Sequence, residues 1–377
     1  MEKSLSKNSG KSFFRKITGN QLFIPIMALM LLAIINLIVD PNFFKITLGT
    51  NNAGNKILSG YLITILDYGS ELAILALGMT LVTAASGGQD ISVGATIAIA
   101  GSAMLRVLCG SNPSPEKLAA PIIVAFLVGC LVGMLCGAFN GALVSIFKIQ
   151  PMIATLILFT AGRSIAAWIN NNQLPIVPDP KFAYFGGFIP GVPIPTTVFI
   201  VLICIVIMAL VLKFTNLGLY TQSVGINEKS SRLNGINPTL IKFLAFVILG
   251  LGVAVAALIK VSRISTINYS VIAKDIEMDA ILAVALGGNS LGGGKFNIWA
   301  SVLGAYVIQF LTTTLYKFNI QSDALAAYKA VVVILLVFFS APKVREFLSG
   351  LGPKIKGFFS RLAKKSSSKN AKKGEVK

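Results

Sequence analysis

Apolar runs of about 20 residues, parted by short polar loops, recur along nearly the whole chain and decide the solvent it can fold in. A helix needs roughly 20 mostly apolar residues to cross the hydrocarbon core of a bilayer. A soluble domain carries about 25% charged residues; this one carries 12%, with 55% hydrophobic residues and a mean hydropathy of +0.79. So few charges cannot cover the water-facing surface of a 377-residue chain. The expected fold class is therefore all-α, a polytopic membrane helical bundle with about ten transmembrane helices, some broken by glycine.

The expected spans are 21–39, 69–86, 91–109, 119–146, 153–169, 196–213, 241–259, 279–291, 298–316 and 327–341. The first follows a basic start but is longer than a signal-peptide core and ends in Asp40-Pro41 without a small-residue cleavage site, so it reads as an uncleaved span. Segment 57–67 is apolar but short, and either lies at the interface or extends the second span. The chain thus reads as a basic N-tail (1–20), a transmembrane domain (21–342) and a basic, disordered C-tail (343–377).

The net charge of +19 sits mainly in these tails, which contribute +4 and +9. Basic flanks beside apolar spans are a topology signal, not a nucleic-acid footprint. With ten spans both basic termini share one side, the cytoplasm. Lys148, Lys229 and Arg232 then fall inside. Lys260, Arg263 and Lys274 fall outside, against the charge rule. The tails would sit near anionic lipid headgroups. Cys109, Cys130, Cys136 and Cys204 lie in or beside apolar segments without a C-x-x-C pair and read as packing residues. There is no histidine, which removes the commonest metal ligand and neutral-pH acid–base group.

Four segments carry candidate chemistry. In the first, Gly87-Gly88-Gln89-Asp90-Ile91-Ser92, a glycine pair interrupts the helix and Asp90 stands at the membrane boundary, where a carboxylate is costly. Either this is a broken helix facing a wet cavity, or it is a turn with Asp90 as a helix N-cap. The second, Gly287-Gly288-Asn289-Ser290 with Gly292, Gly293 and Gly294, echoes it about 200 residues on. Paired glycine breaks point to transporter repeats. It is no Walker loop, because Asn289 replaces the first glycine and Phe296 the Ser or Thr after Lys295. The third runs from Gly225 to Pro238. Residues 227–234, beginning at Asn227, can form a short polar helix closed by Gly235, with Glu228 and Arg232 paired at i, i+4. The fourth holds Asn140, then Pro151 at a span start, then Thr155 and Arg163, which must face protein or snorkel. Gly129, Gly133 and Gly137 recur at i, i+4 and suit close helix packing.

In this order the segments resemble the permease family of bacterial carbohydrate ABC importers, of ribose, xylose and galactofuranose type, whose relatives include nucleoside permeases. The carrying stretches are Leu75 to Gly94, Asn140 to Arg163, Gly225 to Pro238 and Asp279 to Gly304, within residues 20 to 342. The wording from Lys148 to Arg163 is closest to the galactofuranose type. Gln89 departs from the family, which usually has Ile or a similar residue there.

The resemblance implies a transport subunit without its own cofactor or catalysis, in the bacterial inner membrane. Its partners would be a second permease, the same or related, a cytoplasmic ATPase that uses the ATP, and an extracytoplasmic sugar-binding protein. Gly87, Gly88, Asp90, Ser92, Asn140, Thr155, Arg163, Gly287, Gly288, Asn289 and Ser290 would line or flank the pathway. Gly225, Asn227, Glu228, Arg232 and Gly235 would couple to the ATPase. The alternatives are a nucleoside permease, an ion-coupled secondary carrier and a membrane enzyme. A proton-coupled carrier usually needs several buried carboxylates or histidines, and Asp90 is the main candidate. An enzyme would need a nucleophile–base pair or a metal cluster, and none is found.

Overall fold

A computed structural model describes residues 21–50 and 56–340; both basic tails lie outside the described residues. The helices are α1 (Phe23–Val39), α2 (Tyr61–Ser86), α3 (Val93–Cys109), α4 (Ile122–Ser145), α5 (Pro151–Ile169), the single turn α6 (Pro180–Ala183) and α7 (Thr196–Phe214). They continue with α8 (Leu217–Ile226), α9 (Glu228–Leu233), α10 (Pro238–Ile264), α11 (Ile276–Leu286), α12 (Ile298–Lys317) and α13 (Ser322–Ser340). Among the described residues, six helices (α2, α4, α5, α7, α10 and α12) are long and apolar enough to cross a membrane, and α1 and α3 are apolar but shorter. The chain divides into two units, Met1–Leu325 and Ala326–Lys377, and everything described below belongs to the first.

Large apolar side chains face outward, as lipid requires. On α7, Leu202, Ile203, Val206 and Ile207 are all exposed. On α4, Leu127, Leu131 and Leu135 are exposed at i, i+4, while the opposite face carries the glycine stripe. A Cβ at Gly133 would stand 2.4 Å from the Gly250 carbonyl of α10, and one at Gly137 2.3 Å from the Phe246 carbonyl. The expected close packing is thus present, and it joins α4 to α10.

The helix ends follow local chemistry. Pro151 and Pro238 open α5 and α10 at a position where the missing N–H costs nothing. The Asn237 side chain caps α10, accepting from the Thr239 and Leu240 amides, and Asn297 caps α12 in the same way. Gly87 closes α2 with φ +66°, a conformation glycine adopts without a steric penalty.

Several expectations need correction. The fold is not purely α: Thr47–Thr50 (β1) pairs antiparallel with Lys56–Ser59 (β2). Segment 57–67 extends the second span, one of the two readings given for it: after its first residues, in β2, α2 begins at Tyr61. The span expected at 279–291 is the 11-residue helix α11, which stops at Leu286 because Gly288 takes a left-handed conformation. The loop expected after residue 214 already contains a helix, α8.

Candidate functional site

The C-terminal end of α2, the N-terminal end of α10, the α4–α5 loop, α8, α9 and the segment after α11 all meet at one end of the bundle. The two glycine motifs come together there. The Gly294 amide donates to the Ala84 carbonyl at 3.0 Å, and the Gln89 side-chain amide donates to the Leu291 carbonyl at 3.0 Å. Gln89 is thus a strap between the motifs. A Cβ at Gly225 would lie 1.8 Å from the Ala84 carbonyl and 2.6 Å from the Gly294 nitrogen. No side chain fits, so α8 packs by its backbone on both motifs.

Asp90 is buried at 4% exposure. Its Oδ1 accepts from the Ser92 amide at 2.8 Å and the Ser92 hydroxyl at 2.7 Å, and Asn140 Nδ2 donates to Oδ2 at 3.0 Å. Asn140 also donates to Ser92 Oγ at 2.9 Å. The Asn140 Oδ1 atom is buried without a hydrogen-bond partner among the described residues. Thr155 Oγ1 accepts from the Ile91 amide at 3.2 Å, and Gly88 abuts Pro151. Asp90, Ser92, Asn140 and Thr155 thus form one cluster around the first break.

The second break is braced from within. Asn289 Oδ1 accepts from the Asn297 amide at 2.7 Å, and Nδ2 donates to Ser301 Oγ at 2.7 Å. The Thr80 hydroxyl donates to the same Ser301 oxygen at 2.6 Å. Gly287 lies against the Ala300 backbone. Ser290, by contrast, is exposed.

The short helix α9 forms as the sequence suggests. Asn227 caps it through the Ser230 amide at 3.0 Å, and Gly235 follows with φ +79°. Glu228 holds more than the expected partner. Arg232 is 3.5 Å away and 63% exposed, whereas Lys242 of α10 is 2.6 Å away and 13% exposed; Lys148 of the α4–α5 loop adds a contact at 3.3 Å. The hydrogen bond from Lys242 holds the Glu228 carboxyl below its ordinary 4.5. Partial burial opposes this, and the charges of Lys242 and Lys148 reinforce it.

Sequence reasoning missed a second charged cluster at the opposite end. Asp67 and Glu71 of α2 face Lys260 and Arg263 of α10. Lys260 Nζ is 2.8 Å from Glu71 Oε2, Arg263 Nη2 is 2.9 Å from Asp67 Oδ1, and Arg263 Nη1 pairs with Glu71 Oε1. The Thr197 hydroxyl donates to Asp67 at 2.7 Å, and the guanidinium lies 4.0 Å from the Tyr68 ring centroid. The signals were Asp67 and Glu71 inside an apolar run and Lys260 and Arg263 against the charge rule, with nothing local to join them. The expectation that Asp90 is the main buried carboxylate is corrected, since Glu71 and Glu277 are each 2% exposed or less.

Arg163 lies apart from the Asp90 cluster and faces protein. Its Nη1 donates to the Tyr269 and Ile272 carbonyls at 2.9 and 3.0 Å. Those carbonyls belong to the non-helical segment 265–275 between α10 and α11. Three of its non-glycine residues, Ser265, Ala273 and Asp275, have φ of +53°, +51° and +64°. Such conformations cost about 1–3 kcal/mol each and persist only where the surroundings impose them.

A multi-pass bundle with paired glycine breaks, a capped polar helix at their junction and a helix interrupted between residues 265 and 275 describes a membrane transport subunit. The chain belongs to the family described as branched-chain amino acid transport system / permease component, which matches residues 61–341. It is 34% identical to the fructose import permease protein FruF of Bifidobacterium longum, over 92% of this chain and 95% of that one. It is also 34% identical to the galactofuranose transporter permease protein YtfT of Escherichia coli K12, over 86% of this chain and 91% of that one. With the ribose import permease protein RbsC of the same strain, identity is 32% over 89% of this chain and 98% of that one. The chain is an ABC importer permease.

Proposed function

We propose that this permease carries a simple sugar, a pentose, a hexose or a galactofuranose-like ring, across the inner membrane of a bacterium. The observation that carries this reading is near-full-length similarity to permeases for fructose, galactofuranose and ribose. A binding protein delivers the sugar, a separate ATPase consumes the ATP, and a second permease, the same or related, completes the channel. This chain holds no cofactor.

The bundle crosses the membrane ten times, with both termini and the α9 end cytoplasmic. Pairing of Lys260 and Arg263 with Glu71 and Asp67 supports that orientation, because the outer cations that break the charge rule are neutralised inside the protein. The ATPase grips α9 through Asn227, Glu228 and Arg232; Gly225 lets α8, just before it, lie against both glycine motifs, and Gly235 follows α9 with φ +79°. Asp90, Ser92, Asn140 and Thr155 line the pathway from one side. Gly287, Gly288, Asn289 and Ser290 flank it from the other, with Gly87 and Gly88 freeing the backbone of the first break. Arg163 shapes the pathway wall through segment 265–275.

The test is uptake into proteoliposomes holding the permease, its ATPase and its binding protein. Fructose, ribose and galactose are offered against leucine and uridine. ATP-dependent uptake of at least one sugar and neither of the others is expected. Uptake of leucine or uridine alone overturns the sugar reading while leaving the permease class intact.

A further inference from the structure

A polar cavity of about 250 Å³ opens at the end of the bundle opposite α9. Tyr68 and Glu71 of α2, Lys260 of α10, Lys274 of segment 265–275, Asp279 of α11 and Gln309 of α12 line it. On the reading of this chain as a sugar permease, we propose that this cavity is a solute subsite, taking one neutral monosaccharide on its way from the binding protein to the glycine breaks.

Size is the first ground. The volume equals that of about eight liquid waters and falls just under the roughly 300–1,000 Å³ of pockets for larger ligands. It holds a single small ring.

The second ground is charge. The two carboxylates and two ammonium groups of the lining cancel. At the centre, Glu71 already holds Lys260 at 2.8 Å and also pairs with Arg263. No isolated charge remains there to grip an ion. What remains at the centre is hydrogen-bonding capacity of both signs: further lone pairs of Glu71, further N–H groups of Lys260, and the Gln309 amide, whose Nε2 also donates to Thr313 Oγ1 at 3.5 Å. Hydroxyl groups donate and accept at once, and so match such a lining better than any charged group does.

The third ground is position. Val271, Ala273 and Lys274 form one wall, within the segment that holds three left-handed residues and whose Tyr269 and Ile272 carbonyls accept from Arg163. Strained backbone of this kind collects at ligand clamps and switch regions. A Cβ at Gly94 would stand 2.5 Å from the Ala273 carbonyl and 2.5 Å from Glu277 Oε2. The cavity wall therefore rests directly on the start of α3, four residues past Asp90. A shift of the wall would therefore press on the start of α3, next to the first glycine break.

The experiment uses the complete importer in proteoliposomes, with Cys109, Cys130, Cys136 and Cys204 replaced by Ser. Fructose and ribose are the probes. Lys274→Cys is exposed to a charged, membrane-impermeant maleimide from the side of the binding protein. Labelling is expected, slowed about tenfold by transported sugar with binding protein present. Gln309→Ala should lower uptake about tenfold, the loss of roughly 1.4 kcal/mol of solute contact, and Gln309→Asn should restore part of it. Because Gln309→Ala could act through folding, the labelling result stands beside it as a second readout. Sugar-independent labelling of Lys274→Cys, with wild-type uptake by Gln309→Ala, overturns the subsite and leaves the sugar reading intact. Uptake of leucine or uridine but no sugar by the unaltered importer overturns both.

Discussion

At the scale of single residues, the instructive case is Glu228. Its i, i+4 partner Arg232 was legible because helical spacing places the two on one face. That contact is the weakest of the three, at 3.5 Å with Arg232 63% exposed. Lys242 and Lys148 come from other elements, and no local period reveals them. Arg232→Ala should therefore change sugar-stimulated ATP hydrolysis by less than about twofold, and Lys242→Ala should lower it by about fivefold, the equivalent of roughly 1 kcal/mol. Equal effects would refute the ranking. The pH dependence has a definite sign. Because the folded carboxyl titrates below its ordinary 4.5, its contribution is complete above that value and is lost as pH falls through the lowered one. Coupling should be flat from neutrality down to the ordinary glutamate range and decline beneath it, with Glu228→Gln showing a lower plateau and no such step.

Among the elements, the α4–α10 contact shows how far a pattern can carry. Glycines at i, i+4 announced a close helix neighbour, and the large residues of α4 indeed turn outward to leave that face bare. The identity of the neighbour was not legible, since α10 meets α4 through Gly250 and the Phe246 carbonyl, more than 100 residues away. Replacing Gly133 with Leu would drive a side chain into backbone, which cannot yield as a flexible side chain can. We expect a loss of about 1–3 kcal/mol, read as a lower unfolding temperature in detergent, while Leu131→Ala on the exposed face should change little. The charged cluster at the far end was invisible for a related reason. Glu71 and Arg263 are 192 residues apart, and each alone reads as an awkward charge near an apolar helix. The hairpin β1–β2 was likewise passed over, because four-residue strands leave almost no periodicity to detect.

On the scale of the whole molecule, the helical class and the places of the long apolar helices were largely legible because lipid imposes length and apolarity on each one. The half-length helix α11 and the non-helical stretch before it were not, since their backbone needs are met by Arg163 and by packing on Gly94. The cluster of Asp67, Glu71, Lys260 and Arg263 has a further consequence, which is electrical. Its formal charges sum to zero, and the solute proposed to pass it is neutral. Moving one elementary charge through 100 mV costs about 2.3 kcal/mol, but with a neutral sugar as the solute no net charge would cross. Initial uptake should therefore be the same in proteoliposomes holding a potassium diffusion potential of either sign or none; a rate that followed the voltage would mean that an ion travels with the sugar. On that reading, a cell equipped in this way would go on gathering sugar while its membrane potential collapses, for as long as its ATP lasts.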